Sequence, residues 1–484
     1  MENVSMFKYL YNSILAQIKT GRYAYGALLP SAPALCRIYN VGIRTARDVM
    51  NALRADGYIR TEERRRATVV YREGSDGESR RRLLAEALAR RGSIAEVYDA
   101  LELLMPPLFL FCARQCGDED FFSFVSLVKK ADRLPGRESW RSSSAVFHAL
   151  LKRSGNPLFN DLYASLELYS QVPAIEGYKH PFDAAKEECG ERRFSWTMEP
   201  LLRRDYGEAD ARLRLMFRAV KLQVTGYVDT LSRVDPSLRP PQEGFLWNAA
   251  KGKVYLYAEI ARDLTNEISL GRWQEGDFLP SSKELAARYG VSLYVVRQAL
   301  AMLEGRGFIA IRNGSRPRVT LSAVGVDISR FSEPEQKRDI WVYLCALQLM
   351  TVLIPHAARL SAALFTEGQK RRLRESLNQP GAVVLKVAAG CVCEALPTEP
   401  LRVIFEEING LLLWGNHLMY QPSSRGATVV IADKCGRALD ALDGGDAGGF
   451  AALLAESFFY VLSRLREFIA AAGMPEVEKI KLPL

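Results

Sequence analysis

Arg44, Thr45 and Arg47 fall within four residues, and Arg64, Arg65 and Arg66 follow as an unbroken triplet. In the second half, Lys283, Ser292, Tyr294 and Arg297 precede Ser315, Arg316 and Arg318. Guanidinium groups are permanently charged planar forks that match phosphate oxygens and the guanine edge. Hydroxyl and phenol groups add adaptable donors and acceptors. Such a set does recognition chemistry on a polyanion and makes no covalent bond. Bond-making candidates are poor. The four histidines, His148, His180, His356 and His417, show no ligand spacing. The eight cysteines are scattered; the closest spacing is Cys391-x-Cys393, with no second pair nearby. There is no Gly-rich phosphate loop and no Ser/His/Asp constellation. The expectation is no catalytic residues, no cofactor and no bound metal, with reduced, structural cysteines.

The 484 residues carry a net charge of +9, and the excess is unevenly placed. Residues 1–72 sum to +7 and residues 251–322 to +4, so the other 340 residues sum to −2. The whole basic excess sits in two short segments, as attraction to phosphate requires. Hydrophobic content of 48% and charged content of 25% are ordinary for globular protein and exclude disordered and collagenous classes. The most apolar stretches, Leu101–Ala113 and Tyr343–Ala358, are interrupted by Pro106-Pro107 and by Gln348 and Pro355. They read as buried helices and not as membrane spans. The N-terminus lacks the pattern of a secretory signal, so a cytoplasmic, nucleoid-associated protein is expected.

The two basic segments are copies of one another. At a constant shift of 250, Leu29-Pro30-Ser31 falls on Leu279-Pro280-Ser281. Ile18, Gly21, Gly26, Leu35, Tyr39, Val41, Arg47, Leu53, Gly57, Ile59 and Val69 also meet identical residues. More faintly, Val97–Met105 resembles Val342–Met350 at a shift of 245. The chain is read as a duplicated two-domain unit, with domains at 1–72, 80–234, 251–322 and 335–475. The halves join at the proline-rich Asp235–Gly244.

Elements that would position the cationic groups can be read in the second copy. Tyr257, Ile260, Leu264 and Ile268 mark the apolar face of a first helix. Ser281-Ser282-Lys283-Glu284 is a capping box that starts a short second helix. Gly290-Val291 makes a turn, and Ser292 caps a third helix with Val295 or Val296, Ala299, Leu300 and Leu303 inward. Phe308–Arg312 and Arg318–Leu321 alternate as strands, joined by Asn313-Gly314, a hairpin signal. Three helices and a hairpin make a winged helix-turn-helix, whose third helix can enter the major groove of double-stranded DNA. Ser31, Arg44, Thr45, Arg47 and the Arg64–Arg66 wing are the DNA-contact candidates of the first copy. Ser281, Lys283, Ser292, Tyr294, Arg297, Asn313, Gly314, Ser315, Arg316 and Arg318 are those of the second. A lone arginine triplet is ordinarily solvated surface; on a wing it is expected to grip phosphate.

LPSSKELAARYGVSLYVVRQALAMLEGRGFI resembles the DNA-binding domain of the GntR family of bacterial transcriptional regulators. LLPSAPALCRIYNVGIRTARDVMNALRADGYI is a weaker second example. The family's short-helix arginine is replaced by Pro33 and Lys283, and the arginine after its VS pair by Ile43 and Leu293, whereas Arg47 and Arg297 keep its later arginine. Members usually dimerise on palindromic sites; two modules in one chain imply a monomeric pseudo-dimer or a homodimer, able to read an asymmetric site.

Leu, Ala, Arg and Glu at helical spacing make the remaining segments all-helical, so the fold class is mainly α. Val146–Leu151 followed by Ser154–Leu158 resembles the FadR-type effector domain of the same family. This implies an organic-acid or acyl effector, with Tyr98, His148 and Asn156 as its contacts. Many such domains hold a metal through an Asp four residues before this His and two later His. Here Ser144 takes the Asp position, Phe194 and Phe217 lie close to the later ones, and in the second half Ile408 is placed where His148 would fall. Either an apolar pocket persists, favoured in the first half, or it has filled in and left a dimerisation scaffold. The alternative function is a helical interaction protein with degenerate DNA-binding modules.

Overall fold

In the computed structural model, the described residues are 6–19, 23, 25–39, 41–62, 65–71, 77–134, 136–188, 193–249, 256–269, 272–305, 307–312, 315–320, 334–378, 381–413 and 425–483. The chain divides into two compact units, Met1–Ser154 with Phe159–Lys253, and Gly155–Leu158 with Val254–Leu484.

The first unit begins with α1 (Met6–Lys19), α2 (Ala32–Tyr39), α3 (Ile43–Ala55), β1 (Ile59–Arg60) and β2 (Thr68–Val69). Leu10, Ile14 and Ile18 line one face of α1 and meet Leu35, Val49 and Leu53 in a closed core. Ile59 pairs with Val69, both inward, so the hairpin seals the open end of that core. Gly57, at φ +78°, supplies the left-handed turn from α3 into β1. A helical layer follows: α4 (Gly77–Ala89), α5 (Ile94–Ala113), α6 (Asp118–Arg133), α7 (Gly136–Lys152), α8 (Pro157–Ser170), α9 (Pro181–Glu188), α10 (Phe194–Leu202) and α11 (Tyr206–Leu231). Its central helix α5 is buried along most of its length and packs on α7 and α11.

Pro106 and Pro107 do not break α5. Pro106 has no N–H to give the carbonyl of Glu102, and that carbonyl accepts instead from Arg214 Nη1 on α11, at 2.9 Å. The interruption expected from sequence is repaired by a partner 112 residues away.

The second unit repeats the order. It has α12 (Leu256–Ser269), α13 (Ser282–Tyr289), α14 (Leu293–Gly305), β3 (Ile309–Ala310) and β4 (Arg318–Val319). Ile260, Leu264 and Ile268 pack against Leu285, Val296, Leu300 and Leu303. The strands are shorter than the sequence pattern implies, but Ile309 faces Val319 as Ile59 faces Val69. In both modules the loop ahead of the second helix adds an isolated bridge to the wing, Leu28 to Thr68 and Phe278 to Arg318. The helical part comprises α15 (Pro334–Ser361), α16 (Glu367–Ser376), α17 (Gly381–Ala395), α18 (Glu399–Leu412), α19 (Arg425–Asp443) and α20 (Ala447–Ala471). By length and composition, the helical stretch Lys337–Leu364 is apolar enough to cross a membrane, and 78% of its apolar window is buried inside the protein. Gln348 does not interrupt it, because this buried amide donates to Lys481 O at 2.6 Å. The fold is mainly α, with two winged helix-turn-helix modules.

Candidate nucleic-acid interface

Each third helix has one buried and one free face. On α14, Val296, Ala299, Leu300 and Leu303 are buried, while Ser292, Tyr294 and Arg297 are exposed, Tyr294 by 71%. Tyr294 keeps its ring in solvent, and its hydroxyl accepts from Gln298 Nε2 at 3.1 Å. Ser292 Oγ accepts from Val295 N at 3.4 Å, a weak cap that leaves the hydroxyl at the helix mouth. The matching face of α3 presents Arg44 and Arg47, with Thr45 half-buried. Arg44 lies 4.0 Å from Asp48, an exposed pair of little energetic weight. Arg47 and Arg297 stand at equivalent exposed positions, and an exposed large apolar residue, Ile43 or Leu293, opens each helix.

The short helix ahead differs between copies. In the second, Ser281 Oγ accepts from Glu284 N at 3.3 Å while Glu284 Oε2 accepts from Ser281 N at 2.7 Å. Gly290 closes the helix at φ +64°. Lys283 projects from its first turn into solvent. In the first copy Ala34 cannot reciprocate, and Ser31 accepts from Ala34 N at a long 3.4 Å.

The wings carry less free charge than their sequences imply. Arg65 pairs with Glu62 at 3.1 Å. Arg66 donates to the carbonyls of Leu29 and Leu28, at 2.9 and 3.2 Å, tying the wing to the loop before α2. Arg318 does the same in the second module, donating to Gly276 O at 3.0 Å, and Arg316 pairs with Glu284 at 3.2 Å. Ser315 is exposed. Arg64, Asn313 and Gly314 lie outside the described residues.

Sequence reasoning missed the polar joint inside the second module. Glu267 on α12 accepts from Arg288 Nη1, Trp273 Nε1 and Arg272 Nη1, at 3.1, 3.1 and 3.2 Å. Its side chain is only 6% exposed, and these donors, Arg288 first, hold its carboxyl below the ordinary range. The equivalent residue of the first module is Gln17, which donates to Tyr39 OH at 2.8 Å. The only prior signal was the acid at Glu267 facing an amide at Gln17 in the aligned repeats.

In the helical part of the first unit, His148 lines a cleft of about 710 Å³ with Arg141, Ser144, Asn160 and Glu167. Its ring is engaged at both nitrogens, Nδ1 with Asn160 Oδ1 at 2.7 Å and Nε2 with Glu167 Oε2 at 3.0 Å. Tyr98 and Asn156 are not brought there. Tyr98 is fully buried and donates to Ser170 O at 3.1 Å. Asn156 is buried and donates to Cys345 O and Gln348 Oε1, both at 2.8 Å. Phe194 packs edge-on against Phe147, and Phe217 is fully buried. Among the described residues, no group of three or more His, Cys, Asp or Glu side chains could hold a metal. The element order also corrects one equivalence. Ile408 lies on α18, whereas α7, which carries His148, corresponds to α17. His148 precedes the Pro157-Leu158 pair by nine residues, and the residue nine before Pro400-Leu401 is Cys391.

The profile of the bacterial regulatory proteins, gntR family, matches residues 8–70 and 256–319. The chain is 44% identical over 57 residues to the HTH-type transcriptional regulator TreR of Bacillus subtilis (strain 168), covering 12% of this chain and 24% of that protein. It is 42% identical over 60 residues to the Exu regulon transcriptional regulator of Escherichia coli (strain K12), covering 12% and 23%. Thus it spans about a quarter of the length of these relatives. A solved structure, Streptococcus agalactiae GntR, is 16% identical, with 43% of this chain and 99% of that chain covered at a TM-score of 0.21. Two modules with the same buried register, the same free helix face and the same profile match give the chain tandem winged helix-turn-helix domains that are similar to the DNA-binding domain of the gntR family.

Proposed function

We propose that the protein is a sequence-specific, DNA-binding transcriptional regulator of the cytoplasm, acting as a pseudo-dimer within one chain and sensing a small metabolite through its helical domains. It is organised as four domains at 1–72, 80–234, 251–322 and 335–475, and it is not an enzyme. The observation that carries the reading is the pair of modules: each buries one face of its third helix and leaves a cationic face free, Arg44 and Arg47 in one, Arg297 in the other. Their combined charge of +11 exceeds that of the whole chain. The two free faces differ, Ile43 and Arg44 against Leu293 and Tyr294, which favours an asymmetric site. The cleft at His148, with Arg141, Lys152 and Arg153 in its lining, suits an acidic effector.

Selection of bound genomic fragments, followed by titration of the best duplex at several salt concentrations, tests the reading. With both modules engaged, about 6–8 phosphate contacts give a slope of log K against log salt of roughly −5 to −7. A slope near about −2 refutes joint engagement. Failure to enrich any sequence favours the alternative, an interaction protein with degenerate modules.

A further inference from the structure

The second unit contains a cavity of about 420 Å³ where α15, α17, α18 and α20 meet α12, the first helix of the second winged module. Its lining is largely apolar, including Leu347, Leu385 and Phe458, and one cation, Lys386, is set in the wall. The Lys386 ammonium donates to the Asn266 amide oxygen on α12. Among the described residues it has no carboxylate within ion-pair distance. Two acids also line the cavity: Glu394 is engaged by Arg372, and Glu406 is exposed. Burial pushes the Lys386 amine down to about 8. A desolvated ammonium whose partner is a neutral amide lacks a countercharge, and a cavity beside it is where one would sit.

This cavity is not a second copy of the His148 cleft. The α17 residues equivalent to His148, Ala149 and Lys152, counted from the shared Pro-Leu pair, are Cys391, Val392 and Ala395. All three are buried in the core, so the face of α17 equivalent to the cleft-lining face of α7 is closed. The space has opened on another face of the helix, where Lys386, Ala389 and Cys393 stand.

We propose that this cavity binds a small carboxylate with an apolar tail, its carboxylate pairing with Lys386 in place of Asn266 and its tail lying along Leu347, Leu385 and Phe458. Asn266 belongs to α12, which packs directly on α14, so occupancy is transmitted to the helix that carries Arg297. The site stands on the geometry alone; its regulatory consequence rests on the DNA-binding reading above.

The test uses the full chain and hexanoate as probe, with hexanol as the uncharged comparator, by titration calorimetry without DNA. Saturable hexanoate binding is expected at one site, with hexanol about tenfold weaker or worse. Lys386→Met keeps the stem and removes the charge. It should weaken hexanoate by about tenfold or more and leave hexanol unchanged. Lys386→Gln serves if the Met variant does not fold. Saturating hexanoate should alter hydrogen exchange across α12 in the wild type and leave it unaltered in the Lys386 variant. No saturable hexanoate binding, equal binding by wild type and variant, or equal binding of hexanol overturns the site. Unchanged α12 exchange at saturation overturns the coupling. Gel shifts on the selected duplex run in parallel. A normal shift without hexanoate binding sinks only this inference, whereas hexanoate binding without a shift sinks only the regulator reading.

Discussion

Removing the Glu267 carboxylate should loosen the second winged helix-turn-helix module selectively. Three residues donate to that side chain, and it is 6% exposed, so Glu267→Ala leaves Arg288 and the Trp273 indole without their acceptor. Breaking a fully buried pair costs about 3–5 kcal/mol. Arg288 is 41% and Arg272 65% exposed, so water recovers part of their hydrogen bonding. The expected loss is therefore about 2–3 kcal/mol for Ala, and about 1 kcal/mol for Gln, which keeps an acceptor but not the charge. Because the folded-state carboxyl lies below its ordinary value, its contribution is present above the unfolded value and disappears as pH falls through the folded one. Acidification should thus shrink the difference between wild type and variant. The assay is urea unfolding of the full chain followed by tryptophan fluorescence, with Trp273 as a local reporter. Gln17 takes this place in the first module, so that module should show no such acid dependence. A loss below about 0.5 kcal/mol for Glu267→Ala, or a difference that does not shrink at acid pH, refutes the reasoning.

Four further outcomes are expected. Arg297→Ala should weaken the selected duplex far more than a scrambled one, by the ~1–3 kcal/mol of a bidentate base contact; equal or no effect on both duplexes refutes a base-reading role. Replacing Arg64, Arg65 and Arg66 together by Ala should weaken both duplexes about equally and flatten the salt slope, and loss confined to the cognate duplex contradicts it. Part of that loss should come from the wing itself, since Arg66 ties it to Leu28 and Leu29, so Arg66→Ala alone should increase hydrogen exchange at Val69. Elemental analysis of purified protein should find no stoichiometric zinc, manganese or nickel; about one metal per chain overturns the reading of Ser144 and Phe194 as a lost ligand set.

The recognition modules were legible in the sequence because their determinants are local. A 3–4 spacing fixes the inward face of α12, and Ser281 with Glu284 fixes where α13 begins. A repeat at a constant shift of 250 lets each copy check the other. The exposed positions of Arg47 and Arg297 follow from the same periodicity, since they lie opposite the buried stripe. What the tertiary structure decided depends on partners far apart in the chain. Pro106 leaves a carbonyl free, and Arg214, 112 residues away, reaches it. Arg66 looks like a third free cation until the loop before α2 offers it two carbonyl oxygens. Asn156 shares a short motif with His148, and Tyr98 stands fifty residues earlier, yet the polar groups of Tyr98 and Asn156 are spent on Ser170 and on Cys345 and Gln348, and only His148 meets the cleft. No spacing along the chain brings Lys386 and Asn266, 120 residues apart, to one cavity wall. Helix faces follow from sequence because the α-helix repeats every 3.6 residues, whereas a long-range contact depends on how those faces pack.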